Sequence, residues 1–277
     1  MAAKLKVSTG HAKYLHGIGS VIKAYTGGRI DVYGGAAEPA TGDAAAAGTK
    51  LYSITNNAKI PGVDVKAKQK VRITPTPGSA AAAEWNVTLK GVKATFIDDG
   101  SPDAAEICTG LYNLIRAMIG ATSITTPAGK INIPDVNGAV VLTDNGGTLD
   151  IEAAVAGVPF KLEVSISGAG AGTGAMAMTT LTEDSYGLQY EDPSDITAGV
   201  LEKLASQTWA GKAVADGTPN YFRVVTDADT GLSSTDLPRM QGTISTVAGA
   251  AMEISHSAVK NGETIFVDSA SFIIPLT

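Results

Sequence analysis

The chain has 277 residues, with 21 Lys and Arg against 27 Asp and Glu, so its formal net charge is −6. That acidic balance, without a cluster of basic residues, argues against a nucleic-acid-binding protein, and the single cysteine, Cys108, excludes the disulfide-rich secreted scaffolds. The first 20 residues lack the apolar core of a signal peptide, and no run of about 18 apolar residues occurs, so we expect a chain that folds in a cytoplasm and has no membrane partner.

The first predicted element is a helix over residues 8–25, STGHAKYLHGIGSVIKAY. Ser8 or Thr9 can accept hydrogen bonds from its first N–H groups, and Gly27 with Gly28 can end it. Its apolar residues recur at spacings of one, three and four, which is typical of one stripe. A sandwich of short strands does not obviously need this helix, so we predict that its stripe contacts other subunits. The interface candidates are Tyr14, Leu15, Ile18, Val21 and Ile22, and Tyr25 completes the stripe.

Two strands follow, RIDVY at 29–33 and KLYSIT at 50–55. Each alternates apolar and polar residues, which predicts a half-buried strand with one solvated face. The connection between them, residues 34–48, consists mostly of Gly and Ala and carries no recognisable chemistry.

The middle of the chain predicts a separate set of elements. Pro61, Pro75 and Pro77 punctuate its beginning, and we place a boundary near Val63. EWNVTLK and VKATFID, within residues 84–97, are predicted to pair around Gly91.

Residues 98–120 give the clearest helix prediction of the chain. Ser101 is expected to cap it, and Pro102 fits its first turn because the missing N–H costs nothing there. The predicted apolar stripe consists of Ile107, Leu111, Leu114, Ile115 and Met118.

Four short strands are predicted next: KINIP, GAVVLT, GTLDIEAA and PFKLEVSIS. Asn145-Gly146 between the second and third is a strong hairpin signal. The Gly/Ala-rich residues 167–180 are expected to form a loop, and 191–209 contain a second predicted helix that begins at Ser194 or Asp195. After Gly211 the chain reads as strands again: NYFRVVTD, RMQGTIST, AAMEISHS and one long alternating strand, ETIFVDSASFIIPL.

These elements predict a mainly β protein with two domains. The opening helix and hairpin cannot close a core alone, but the strands of 219–277 can pair with them. We therefore expect a discontinuous β-sandwich domain, 1–62 plus 188–277, that carries the N-terminal helix. An α+β domain, 63–187, would be inserted into one of its surface loops, which tolerate insertions.

Several of these segments carry a resemblance. The helix, GGRIDVYGGAAEPATGDAAAAGTKLYSIT, GTPNYFRVVTD, QGTIS and ETIFVDSASFIIPL resemble a group of small β-sandwich proteins of tailed bacteriophages and prophages, over residues 5–60 and 195–277. The middle segment WNVTLKGVKATFIDDGSPDAAEICTGLYNLI is similar to another phage module, a hairpin followed by a helix, which occurs inserted in sheath and other virion proteins.

The resemblance implies a non-enzymatic virion structural protein, made in the host bacterial cytoplasm and located in the virion. Its partners would be major capsid or tail proteins and copies of itself, as a homo-oligomer. We expect a capsid decoration or cement subunit. The alternatives are a tail component (tube, collar or fibre-attachment protein) and a carbohydrate-binding host-attachment module. The Gly/Ala connection at 34–48 would then lie against a neighbour, because small residues permit close backbone approach.

No residue pattern predicts a catalytic, cofactor or metal site. Gly170, Gly172 and Ala175 form a GxGxxA pattern, but the residues that follow make a poor helix, and a dinucleotide site requires one. Asp227 and Asp229 in TDADTG are predicted to lie in a β-turn, because the glycine and the late glutamate of a calcium loop do not match.

The remaining reactive or aromatic side chains are expected to be structural. The three histidines, His11, His16 and His256, lack the spacing of a metal site. Cys108 lies in the apolar part of a predicted helix, where a buried, inert thiol is the ordinary outcome. Trp85 and Trp209 are predicted to pack in cores, with a role as interface anchors as the alternative.

Overall fold

The computed structural model describes residues 5–17, 20–78, 82–120, 123–126, 129–132, 139–168, 174–183, 187–191, 200–247, 250–255 and 257–273. The fold is mainly β, with 40% of the residues in strands and 13% in helices, which confirms the predicted fold class. The chain divides into two compact units, which are described separately. Unit 1 comprises Met1–Lys66 and Ser185–Thr277, and unit 2 comprises Ala67–Asp184.

The elements of unit 1 come from both ends of the chain. They are β1 (Lys6–Val7), α1 (Thr9–Gly17), α2 (Val21–Tyr25), β2 (Arg29–Gly34) and β3 (Thr49–Asn56) before unit 2. Unit 2 contains β4 (Lys70–Thr76), β5 (Glu84–Leu89), β6 (Val92–Ile97), α3 (Ala104–Gly120), β7 (Ser123–Thr126), β8 (Gly129–Asn132), β9 (Val140–Asp144), β10 (Leu149–Ala153), β11 (Leu162–Ser167) and β12 (Ala175–Thr182). Unit 1 then continues with β13 (Val200–Glu202), β14 (Trp209–Lys212), β15 (Pro219–Val225), β16 (Arg239–Ser245), β17 (Met252–Glu253), β18 (Thr264–Val267) and β19 (Ser271–Ile273).

The main sheet of unit 1 has the strand order β1-β16-β15-β2-β3-β14-β18, and β17 pairs with β16 in parallel. The strands on that path pair antiparallel. The late strand β15 pairs with the early strand β2, and β14 pairs with β3. This confirms that the strands after 219 complete the sheet begun by the opening hairpin.

One face of this sheet is apolar and forms the core of unit 1. Ile30, Val32, Phe222 and Val224 are fully buried on it. Trp209 lies in the same core, with its Nε1–H donating to Gln207 Oε1 at 2.9 Å, as a buried indole N–H requires. Elements outside the main sheet contribute further core residues, namely Tyr25, Leu188, Tyr190, Leu201 and Phe272.

Unit 2 combines a four-stranded sheet, β12-β4-β10-β9, with a three-stranded sheet, β11-β5-β6, and with helix α3. One apolar core joins residues of both sheets and of the helix. Trp85 is buried in it and donates from Nε1 to Asp98 at 2.6 Å. The predicted β5–β6 pairing is confirmed, and so is the β9–β10 hairpin, in which the Asn145 N–H donates to the Thr148 carbonyl at 2.9 Å.

The single predicted helix over 8–25 is wrong. Ser8 does cap α1 by accepting from the His11 N–H at 3.0 Å, but α1 ends at Gly17. Ser20 has an extended backbone and begins α2, where it accepts from the Lys23 N–H at 3.2 Å. The extended cap interrupts the helical path, and this divides the predicted stripe between two short helices.

Three further predictions in unit 1 are wrong. β2 and β3 are not half-buried, since all six residues of β2 and residues 51–56 of β3 are buried. The long terminal strand is two strands, β18 and β19, which join different sheets. Much of the predicted helix at 191–209, including its caps Ser194 and Asp195, lies outside the described residues, but 200–202 form a strand because they pair with β19.

Helix α3 exists, but its predicted cap is wrong. Asp103, rather than Ser101, accepts from the Glu106 N–H at 2.7 Å, and Pro102 precedes the helix. The predicted stripe is buried with the exception of Leu114. Cys108 is fully buried, and burial together with Asp144 raises the pKa of its thiol to about 11, which fits an inert thiol.

The predicted loop at 167–180 contains a strand that the sequence reading missed. Gly170 and Gly172 lie outside the described residues, but Ala175 begins β12. A strand, not a helix, therefore follows the GxGxxA pattern. The hairpin β7–β8 was also incompletely predicted, because only its second strand was expected. Among the residues that the structure describes, no helix is both long and apolar enough to cross a membrane.

Candidate functional site

The second face of the unit 1 sheet is lined with polar side chains that are buried. Arg223 lies opposite Asp31 on one side and Gln241 on the other, and directly opposite residues share a face. Arg29 lies two residues before Asp31 in β2, and Arg239 lies two residues before Gln241 in β16, so both arginines lie on this same face. Arg223 and Arg239 have 0% of their surface exposed, so protein groups rather than solvent must accept hydrogen bonds from their guanidinium N–H groups.

Two loops cover these side chains. One is the Gly/Ala connection between β2 and β3, residues 35–48, and the other joins β15 to β16, residues 226–238. The Ala46 N–H donates to the Gly231 carbonyl at 2.7 Å, and the Ser234 N–H donates to the Asp43 carbonyl at 2.9 Å. The two loops thus form one hydrogen-bonded layer, which we call the loop platform.

Arg239 is the most fully engaged anchor of the loop platform. Its guanidinium forms a bidentate ion pair with Asp229, with Nη2 at 2.9 Å from Oδ1. Nη2 also donates to the Leu232 carbonyl at 2.6 Å. Nη1 donates to the carbonyls of Gly42 at 3.3 Å and Ala44 at 3.4 Å. One buried side chain therefore holds both loops to the sheet.

Arg223 extends the anchoring towards the Gly/Ala loop. Its Nε donates to Gln241 Oε1 at 2.9 Å, and its Nη1 donates to the Ala44 carbonyl at 2.9 Å. The Gln241 amide in turn donates to the Pro39 carbonyl at 2.7 Å. Burial and the nearby Arg239 lower the pKa of Arg223. Its Nη2 is buried and has no hydrogen-bond partner within the described part of the chain.

Arg29 holds the second loop. It pairs with Asp31 at 3.0 Å and donates to the carbonyls of Asp227 at 3.0 Å and Asp229 at 2.6 Å. Ser53 donates to the same Asp31 carboxylate at 2.5 Å. Burial lowers the pKa of Arg29 and Asp31 raises it, with a net upward shift.

Two tyrosines complete the layer beneath the Gly/Ala loop. The Tyr221 hydroxyl donates to the Ala47 carbonyl at 2.8 Å and accepts from the Ala47 N–H at 2.7 Å. Its ring stacks on Tyr33, with the centroids 5.0 Å apart. Burial and the Asp31 carboxylate raise the pKa of Tyr33, so both phenols stay neutral at physiological pH.

The composition of the Gly/Ala loop follows from this packing. A Cβ at Gly42 would lie 2.7 Å from the Ser8 backbone nitrogen, and Gly48 has a φ of +77° together with a Cβ position 2.2 Å from the Gly34 carbonyl oxygen. Side chains at these positions would separate the loop from its supports. The loop contributes backbone acceptors to the buried arginines, and small residues allow that close approach.

The N-terminal segment is fastened to the loop platform. The Asp43 carboxylate accepts from the Thr9 N–H at 2.7 Å and from its hydroxyl at 2.5 Å. Lys6 pairs with Glu38 at 2.9 Å. In addition, His11 Nδ1 lies 2.6 Å from the buried Tyr25 hydroxyl.

The predicted interface residues are not all on one surface. Tyr14, Val21 and Ile22 are half-buried and pack against the core of unit 1. Leu15 is 38% exposed and remains available for contact. Ile18 lies outside the described residues.

A cleft of about 660 Å³ lies beside the loop platform, lined among others by Tyr33, Lys50, Lys66, Asp227 and Leu232. Lys66 and Asp227 form an ion pair across part of it. The predicted turn at 226–229 is confirmed, with the Asp229 N–H donating to the Thr226 carbonyl at 3.1 Å. Across the described ranges, no group of three or more His, Cys, Asp or Glu side chains can hold a metal ion.

The anchors of the loop platform were not predicted, although the sequence contains a signal for them. Each of the predicted strands RIDVY, NYFRVVTD and RMQGTIST contains one arginine, and that arginine lies next to an apolar residue of the opposite face. No protein-family model and no curated protein sequence matches this chain.

Proposed function

We propose that this chain is a non-enzymatic structural protein of a tailed-bacteriophage virion, and that it acts as a capsid decoration or cement subunit. The resemblance of residues 5–60 and 195–277 to small phage β-sandwich proteins supports the proposal, and so does the resemblance of the middle segment to an inserted virion module.

The structural observation that carries the proposal is the loop platform. Its charged anchors, Arg29, Arg223 and Arg239, lie beneath the loops and use their hydrogen bonds on loop carbonyls and neighbouring side chains. The outer surface therefore consists mainly of backbone and small side chains on a preorganised support. Such a surface loses little conformational entropy on binding, which favours docking on a rigid, repeated protein surface.

The platform also offers an apolar contact point. Leu232 is 68% exposed at its surface, while its own carbonyl is held by Arg239. An exposed leucine on a fixed backbone is suited to insert into a pocket of a partner. By contrast, Tyr33, which lines the adjacent cleft, is buried and stacked, so its ring is poorly placed for stacking on a sugar.

Locating the chain in purified virions tests the proposal. We expect electron cryomicroscopy to find it on icosahedral positions of the capsid, and quantitative mass spectrometry to give a copy number proportional to the major capsid protein. Rings along the tail would establish the alternative, a tail component. Absence from purified virions would refute a structural role.

A matched pair of variants tests the role of the loop platform. Leu232→Asp changes its exposed apolar residue, and Val247→Asp changes a residue of unit 1 that is equally exposed, at 69%, beyond the far end of β16. We expect both variants to fold, and only Leu232→Asp to lose co-sedimentation with particles that lack the native chain. Equal binding by the two variants would contradict the role of the platform.

A further inference from the structure

Strand β12 is an unusual sheet edge. Among the described strands of unit 2, β9 and β12 form the edges of one sheet, and β6 and β11 form the edges of another. Three of these edges carry a charged residue: Asp144 in β9, Lys93 in β6 and Glu163 in β11. β12 reads AMAMTTLT and carries none. Charges on edge strands prevent pairing with other chains, so β12 lacks the protection against such pairing that the other three edge strands have.

The side chains of β12 are also poorly covered by the chain itself. Every residue except Met176 is exposed, although the strand is eight residues long. Met178 lies opposite the fully buried Ile73 of β4 and therefore points to the core side of the sheet. It nevertheless remains 47% exposed, because the core ends at this strand.

We propose that the outer edge of β12 pairs antiparallel with β12 of a second copy of this chain, across a two-fold axis at Met178. A two-fold axis places each residue of the strand opposite a residue of the same strand. The register sets Met178 against Met178 of the second copy, and pairs Met176 with Thr180 and Ala177 with Thr179. Two four-stranded sheets would join into one continuous eight-stranded sheet.

The sequence of β12 selects a second copy as the occupant. In an isologous pairing any charge near the axis meets an equal charge, which is destabilising. An uncharged strand avoids this conflict, whereas a foreign strand could be matched by opposite charges. The pairing would also cover Met178 with its own copy on the core side of the sheet. The proposed dimer concerns the purified chain alone and does not depend on the proposed virion role.

Cross-linking gives the first test. Residues that face each other in an antiparallel pair have Cα atoms about 4.5–5.5 Å apart, which lies within the range that a disulfide spans. We expect Met178→Cys to form a covalent dimer under mild oxidation. The control is Val141→Cys, which is 53% exposed on β9 at the opposite edge of the same sheet and should remain monomeric on a denaturing gel. Cys108 is buried and common to both variants.

Sedimentation gives the second test. We expect the unmodified chain to dimerise reversibly, and Met178→Lys to weaken the dimer at least about tenfold, because two ammonium groups would face each other. Val141→Lys should leave it unchanged. The proposal is overturned if the unmodified chain stays monomeric at high concentration, or if Met178→Lys dimerises as well as the unmodified chain. Equal cross-linking of the two cysteine variants would also overturn it, and that result does not depend on how the lysine variant folds.

Discussion

Replacing Arg239 with methionine removes the central anchor of the loop platform. The side chain is fully buried, and it supplies two hydrogen bonds to Asp229 and three to the carbonyls of Leu232, Gly42 and Ala44. Methionine retains a flexible apolar stem of similar length but none of these donors. Asp229 then remains buried with its charge no longer compensated by its ion-pair partner.

Breaking a buried ion pair by removing one partner costs about 3–5 kcal/mol, because the remaining charge stays out of water. Domain stabilities are about 5–15 kcal/mol, so we expect Arg239→Met to remove about a fifth or more of the stability of unit 1. Arg239→Met combined with Asp229→Leu should recover much of the loss, since an apolar pair carries no desolvated charge.

The two tryptophans make the measurement specific. Trp209 lies in the core of unit 1 and Trp85 in the core of unit 2. In a Trp85→Phe background, urea unfolding followed by tryptophan fluorescence reports on unit 1. The control is Lys13→Ala, which removes the solvent-exposed pair with Asp236 and should have no measurable effect. A loss below about 1 kcal/mol for Arg239→Met would refute the anchoring role.

Three further predictions concern the N-terminal helices and unit 2. Burial lowers the pKa of His11 below 6.5, so the unfolded chain takes up the proton first as the pH falls. We therefore expect unit 1 to lose stability below pH 6.5. His11→Gln should flatten that part of a plot of the urea unfolding midpoint against pH. Val21→Asp should lower the stability of unit 1 by about 1–3 kcal/mol because Val21 packs on the core. Leu15→Asp should leave the melting temperature unchanged and weaken particle binding. Equal melting temperatures for the two variants would contradict the assignment of Val21 to the core and Leu15 to the surface. The hydrogen bond from Arg72 holds the pKa of Asp150 at about 2, so the contribution of the Asp150 carboxylate to stability is present above the ordinary pKa of 3.8 and is lost as the pH falls towards 2. Asp150→Asn should cost ~1 kcal/mol of the stability of unit 2 at pH 7, allowing for solvent screening. The same variant should remove the acid-dependent loss from the unfolding of unit 2.

Elements that are fixed by local sequence could be predicted. The Asn145-Gly146 turn specifies its hairpin because Gly146 adopts a φ of +72°, which glycine tolerates. Helix α3 follows from a 3.6-residue apolar repeat whose members are nearly all buried. The cap was misplaced because Ser101 and Asp103 are both good capping residues, and only the path of the backbone decides between them.

Elements that depend on distant partners could not be predicted in the same way. β12 looks like a continuation of a Gly/Ala-rich loop until β4 is available to pair with it. Likewise, residues 200–202 carry a helical pattern but pair with β19, about 70 residues later. The alternation in β2 correctly separates its two faces, yet alternation alone does not reveal that loops rather than water cover the polar one.

The side-chain-poor loop and the arginines of the sheet are complementary parts of one arrangement. An arginine buried on a sheet face has five N–H donors, and two buried carboxylates, Asp31 and Asp229, cannot satisfy three such groups. The remaining donors require oxygen atoms close to the sheet, and a loop of Gly and Ala supplies carbonyls without side chains that would hold the backbone away. One arginine in each of several neighbouring strands whose opposite face is apolar, together with a long connection of small residues, therefore predicts a loop packed on the sheet. This physical relation turns a segment without chemistry of its own into the rigid surface on which we base the proposed assembly role.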